Sequence, residues 1–228
     1  PNTRLVLECA HDALEDAGLT TAQMEGSSTG VIVGAKPEDH WDKLTTAASP
    51  GASQYDRFYI SGAAHSTTSA RVAHWLGTTG PISTVDSACA SGSMALHQAR
   101  LLIEAGDCEM AIVAGVTTHL WPGPLLALSD AQMRSPRSQG GCLVLSSEAD
   151  GYVPSEACVA FILAKRSTAD RLGLRTRLEL LSSRVGHNGR NTNGIVAPSC
   201  RAQEQLLSSI LEGRSLSDVT LLELHGTG

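Results

Sequence analysis

One cysteine and one histidine stand out by their settings. In TVDSACASGSMALHQARLLIEAG, residues 84–106, β-branched residues pass through a run of small ones into a helical pattern, and Cys89 sits at the junction. The unpaired N–H groups and the dipole of the following helix favour an anion there. The thiolate is the attacking form of a cysteine, so this place suits a nucleophile. The small neighbours Ala88, Ala90, Ser91 and Gly92 would let a second molecule approach the backbone closely. A helix terminus contributes only about 0.3–1 kcal/mol when exposed and up to ~2 when partly buried. Another group must therefore complete the activation, unless the chemistry tolerates a partly protonated thiol. The competing reading is a small apolar packing residue, as most free cysteines are. That reading is kept for Cys9, Cys108, Cys142, Cys158 and Cys200.

The histidine is His225. VTLLELHGTG runs an apolar strand straight into it, and α/β sheets present polar groups beyond their strand ends. His11, on the exposed side of the first helix, and His40, His65, His74, His97, His119 and His187 lack such a setting and read as surface or structural histidines.

The elements that would carry these residues alternate. Residues 3–17 place Leu7, Ala10, Leu14 and Ala17 on one helical face, with Asn2 or Thr3 as cap and Gly18 as stop. A buried strand over 28–35 ends at Gly34, irregular surface runs from Lys36 to Gly62, and a helix over 69–77 stops at Gly77. A strand, the Cys89 junction, a helix closed by Gly106 and a strand over 109–116 form one unit. Residues 117–155 are poorly patterned. Strands follow over 156–165 and 176–186, then a helix near 200–212 and the strand VTLLEL. This alternation predicts a layered α/β protein with buried sheets, with no internal repeat and no linker between domains.

Composition narrows the function. The chain has 228 residues, 42% hydrophobic and 18% charged, enough for one substantial core. A net charge of −6 without a basic stripe argues against nucleic acid, and no Lys/Arg cluster suggests a membrane surface. No stretch reaches the roughly 18 apolar residues of a spanning helix, and the opening PNTRLVLECA lacks the plan of a signal peptide. A cytoplasmic setting is expected. Six scattered cysteines do not resemble a disulfide framework, and no zinc spacing, Walker loop or GxGxxG occurs. No metal or nucleotide cofactor is expected.

TVDSACASGSMALHQA resembles the active-site segment of β-ketoacyl synthases, the condensing enzymes of polyketide and fatty acid synthases, and ELHGTG resembles their first histidine motif. RLVLECAHDALEDAGL, SARVAHWLGTTGPISTVD, MRSP, ADGYV and NGRNTNGIVAPSCRAQEQLL agree in order. The likeness spans nearly the whole chain, and its style is closer to large multidomain polyketide synthases. It implies a thiolase-like layered α-β-α-β-α fold, of which residues 1–228 hold the N-terminal half and the start of the second. The family's first strand would precede Pro1. Its lysine, second histidine and glycine-rich loop would follow Gly228, so a partial gene product is expected, one that neither folds cooperatively nor condenses by itself.

The resemblance implies that Cys89 accepts an acyl group from the phosphopantetheine arm of an acyl carrier protein. His225 would then assist decarboxylation of a malonyl-type thioester and its condensation with that acyl group. The arm comes with the partner, nothing is bound directly, and the complete protein would pair as a homodimer. There are departures. Ser155 and Ala157 of PSEAC replace glycines, Pro154 removes a backbone donor, Leu145 and Ser146 replace a Phe-Asp pair, and Asn188 replaces an aspartate, whereas Glu156 is kept. The alternatives are a non-elongating domain that only transfers or binds acyl chains, a catalytically silent thiolase-fold scaffold, and a cysteine hydrolase. The last is weakened by the absence of GxSxG.

Overall fold

The computed structural model of the chain describes residues 1–36, 61–62, 64–137, 141–190, 197–211 and 213–227. They divide into two compact units, Pro1–Thr176 with Gly226–Gly228, and Arg177–His225. No linker in the sequence marks this division.

In the first unit four strands form one sheet: β1 (Gly30–Ala35), β2 (Ile82–Val85), β3 (Met110–Thr117) and β4 (Ala157–Ala164), in the order β2-β1-β3-β4. β1 lies parallel to both β2 and β3, with Val31 opposite Ile82 and Ile112, and β4 runs antiparallel to β3. All six residues of β1 are buried, which is why it reads as an unbroken apolar run rather than an alternating one.

The two-residue period of the strands divides them between two cores. Val31, Val33, Ala35, Met110, Ile112 and Ala114 face α1 (Asn2–Ala17) and α3 (Thr67–Leu76), joined by Met24 of the short α2 (Thr21–Met24). Ile32, Ala111 and Val113 face α4 (Ser91–Ala105), which presents Ala95, Ala99 and Ile103 at helical spacing. Burying each Val or Ile contributes about 1.5–3 kcal/mol, so β1 and β3 form a firm base for the cysteine junction. Gly18, Gly77 and Gly106 end α1, α3 and α4 in left-handed conformations, as expected.

Several expectations are corrected. The buried stripe of α1 is Val6, Ala10, Ala13, Leu14 and Ala17, with Leu7 only half-buried. Its cap is Pro1, not Asn2 or Thr3, because Asn2 is drawn into the interior, where its Oδ1 accepts from Thr118 Oγ1 at 2.7 Å. β1 does not stop at Gly34 but runs on to Ala35. The poorly patterned stretch contains α5 (Pro122–Asp130), which has a proline at its start and no buried residue, and therefore no apolar stripe to read. α6 (Arg166–Leu172) follows β4. The irregular segment expected from Lys36 to Gly62 lies almost wholly outside the described residues.

The second unit contains α7 (Cys200–Ile210), capped by the Ser199 hydroxyl, and a short 3₁₀ turn (Leu216–Asp218). The strands expected at 176–186 and 219–224 are not formed. Leu178, Leu181, Leu221 and Leu222 are 90, 63, 82 and 62% exposed. Alternating apolar residues make a strand only when a neighbour completes the ladder and a face is covered, and neither condition is met among the described residues.

Candidate active site

β2 delivers the chain to Cys89 through a tight turn held by its own atoms. The Ala88 N–H donates to Asp86 Oδ1 at 2.9 Å, the Ser87 N–H to Ser91 Oγ at 2.9 Å, and the Ser91 hydroxyl to the Ala88 carbonyl at 2.6 Å. The Ala90 and Ser91 N–H groups donate back to Ser87 and Ala88, each at 3.1 Å. Four N–H groups of the turn are thus spent, and that of Cys89 is not among them. Ala88 adopts φ 53°, a left-handed conformation that strains any residue with a Cβ. The turn thereby leaves Cys89 exposed, one residue before Ala90, the N-cap of α4. β2 is held from behind by the Thr84 hydroxyl, which donates to Ser69 Oγ of α3 at 2.9 Å.

The small residues after Cys89 have a different use from the one expected. Ser91 is buried, and the first turn of α4 sits so close to the sheet that a Cβ on Gly34 of β1 would meet the Ser91 carbonyl group and come within 2.6 Å of the Gly92 nitrogen. A Cβ built on Gly115 of β3 would lie 3.5 Å from Gly92 Cα. Ser91 and Gly92 therefore let the helix seat against Gly34 and Gly115, and it is Cys89 with its two alanine neighbours that faces outward.

Two short motifs pair with one another. Arg134 of MRSP bridges Tyr152 of ADGYV: the Tyr152 N–H donates to the Met133 carbonyl and the Ser135 N–H to the Tyr152 carbonyl, both at 3.0 Å. Gly151 between them has φ 115°, and any Cβ there would lie 2.7 Å from the Met133 oxygen. The half-buried Tyr152 phenol is raised above its usual value, first by burial and then by the nearby Cys89 charge. Asp150 accepts from Arg137 Nε at 2.8 Å, and its carboxyl is held below the usual range by Arg137 and then Ser135.

The altered PSEAC segment is held by His119, which reads from the sequence as a surface or structural histidine. The His119 N–H donates to Glu156 Oε1, and His119 Nε2 lies 3.1 Å from the Ser155 carbonyl. Nothing near position 119 in the sequence announces this, because its partners lie 36 and 37 residues away. The substituted Leu145 also takes a left-handed conformation, φ 59°, and is 90% exposed, while the Ser146 hydroxyl accepts from the Glu148 N–H. Asn188 lies exposed in the second unit.

His225 ends the second unit and is exposed, whereas Cys89 belongs to the first, so each is described in its own unit. Gly226, the next residue, clusters with the first unit and lies against Val144, 2.8 Å from where a Cβ would stand. His11, Asp12 and Glu15 bring ligand-type atoms within 4.8 Å of one another, but on the exposed face of α1 and not at the Cys89 turn. No helix among the described residues is long and apolar enough to cross a membrane.

A mixed sheet with helices on both faces, presenting a cysteine at the head of a helix pressed onto two strands, defines a thiolase-like α/β protein. The chain belongs to the β-ketoacyl synthase family: the family model "Beta-ketoacyl synthase, N-terminal domain" matches residues 1–169. It is 39% identical over its full length to hispidin synthase of Neonothopanus nambi, of which it spans 14%. It is 34% identical, again over its full length, to the pikromycin polyketide synthase component PikAIII of Streptomyces venezuelae, also spanning 14% of it. Among solved structures, the oxazolomycin ketosynthase domain OzmH KS7 of Streptomyces albus JA3453 superposes with a TM-score of 0.86 at 31% identity, covering all of this chain and 38% of that one. The module 6 ketosynthase of the bacillaene synthase from Bacillus subtilis 168 gives 0.82 at 26% identity, with the same coverage. The chain therefore spans well under half of each of these relatives.

Proposed function

We propose that the chain carries the acyl-accepting part of a polyketide-type β-ketoacyl synthase, of the class that acts as a 3-oxoacyl-[acyl-carrier-protein] synthase. The observation that supports this most directly is the exposed Cys89 on a strained, self-bonded turn at the head of α4. Cys89 Sγ attacks the carbonyl carbon of an acyl thioester delivered on the phosphopantetheine arm of an acyl carrier protein. The tetrahedral oxyanion is met by the Cys89 N–H, the arm leaves as its thiol, and the acyl group stays on the cysteine.

A malonyl-type thioester on a second carrier then loses carbon dioxide. Its carbanion attacks the acyl-cysteine carbonyl, a carbon–carbon bond forms, and the Cys89 thiolate departs. His225 donates a hydrogen bond to the enolate oxygen during this step. The complete protein works as a homodimer in the cytoplasm. Incubation with an acyl-pantetheine thioester and mass spectrometry of the digest is the test. An acyl mass on Cys89 is expected, and Cys89→Ala lowers acylation more than about 10³-fold, since removing a nucleophile removes the covalent route. Acylation elsewhere, or none, overturns the assignment. Acylation without elongation after addition of a malonyl carrier would favour a transfer-only domain.

A further inference from the structure

α1 and β4 meet at two cysteines that the condensing chemistry does not use. Cys9 precedes the buried Ala10 on α1, and Cys158 lies on β4 in the half-buried row with Ala160 and Ile162 that packs against the α1 core. The Cys9 thiol donates to the Cys158 carbonyl at 3.6 Å. Both are half-buried, which sets them apart from Cys108, buried behind Gly30, and from the exposed Cys89, Cys142 and Cys200. Burial first, then the contact with Cys9 and the charge it would carry, push the Cys158 thiol up to about 12, with Glu8 adding to the effect.

We propose that Cys9 and Cys158 form a dithiol modification site that reduces one small-molecule disulfide and closes to a cross-link tying α1 to β4. In the first step the Cys9 sulfur attacks one sulfur of the small disulfide, the external S–S bond breaks, one small thiolate leaves, and a mixed disulfide remains on Cys9. In the second, Cys158 gives its proton to solvent and attacks the Cys9 sulfur, the mixed bond breaks, and the second small thiolate leaves. Two protein thiols are oxidised and one external disulfide becomes two thiols. Cys158 keeps its proton at neutral pH, so the first attack falls to Cys9 and closure is the slower step.

The test is to incubate the intact chain with oxidised glutathione at neutral pH, alkylate the remaining thiols and digest without reductant. A peptide joining Cys9 to Cys158, lighter by two hydrogens than its parts, is expected to become the main form of both. It is lost in Cys9→Ser and kept in Cys142→Ser. Glutathione on Cys142 or Cys200 with Cys9 and Cys158 still alkylated overturns the proposal, and so does a mixed disulfide on Cys9 that never closes. The product is read directly in the unsubstituted chain, so the outcome does not depend on whether a variant folds.

Discussion

Ala88 shows how a single backbone conformation can present an exposed thiol. Its left-handed φ of 53° costs an L-residue roughly 1–2 kcal/mol, and the turn survives because the Asp86 carboxylate and the Ser91 hydroxyl hold it from both sides. Glycine at this position loses the strain but brings a more flexible unfolded chain. Ala88→Gly is therefore expected to stabilise by at most about 1 kcal/mol, a rise in melting temperature of about 2–4 °C for a chain of this size. Acylation of Cys89 should slow, because the turn loses part of its preference for presenting the sulfur. A melt together with an acylation time course checks both signs. At the same scale, the partners of Tyr152 and of His119, which reads from the sequence as a surface or structural histidine, are not legible in the sequence. Tyr152 pairs with Met133 and Ser135, and His119 with Ser155 and Glu156, all remote in the chain.

At the scale of elements, the decisive contact is α4 on the sheet. Gly34→Ala would drive a methyl into the Ser91 carbonyl, an overpacking expected to cost about 1–3 kcal/mol and to displace the Cys89 turn. Gly141→Ala is the control, since a Cβ there meets nothing within 4 Å, and its effect should stay within about 0.5 kcal/mol. Denaturant melts of the two variants give the comparison. The loop after α5 carries a pH dependence of known sign. Arg137, then Ser135, depress the Asp150 carboxyl, so this contribution is fully present above the unfolded value of about 3.9 and fades as pH falls through the lower folded value. Acidification below about pH 4 should loosen the MRSP and DGY pairing, and Asp150→Asn should loosen it already at neutral pH. Hydrogen exchange at the Tyr152 and Ser135 amides reports this directly.

At the scale of the whole molecule, the two units differ in kind. The first has both faces of its central strands covered, whereas among the described residues the second holds one helix, one 3₁₀ turn and a run from 177 to 190 without helix or strand. Backbone without ladder or helix bonds opens at low free energy. Among the described residues, limited trypsin digestion is expected to cut after Arg177, Arg184 or Arg190 before it cuts within the helices of the first unit. Early cleavage at Arg100 within α4 would contradict this. The exposed Val159 and Phe161 on β4, together with Leu178, Leu181, Leu221 and Leu222, should make the 228-residue chain bind an apolar dye.

The setting of Cys89 between strand and helix, the strands on either side of it and the helix stops at Gly18, Gly77 and Gly106 were legible in the sequence, because each is written in neighbouring residues: a β-branched run, small residues, a helical period, a glycine. α5 was not legible, since a helix with no buried face has no stripe. The segments at 176–186 and 219–224 have strand composition, yet composition cannot supply the neighbouring strand that would complete a ladder. The sequence by itself determined which residues could do chemistry and which local elements would carry most of them. Only the tertiary structure decided that Ser91 and Gly92 serve the seating of α4 on Gly34 and Gly115, that Tyr152 shares the neighbourhood of Cys89, and that Cys9 meets Cys158. The reason is physical: local preference acts over a few residues, whereas these contacts join chain segments 23 to 149 residues apart and exist only once the sheet has formed.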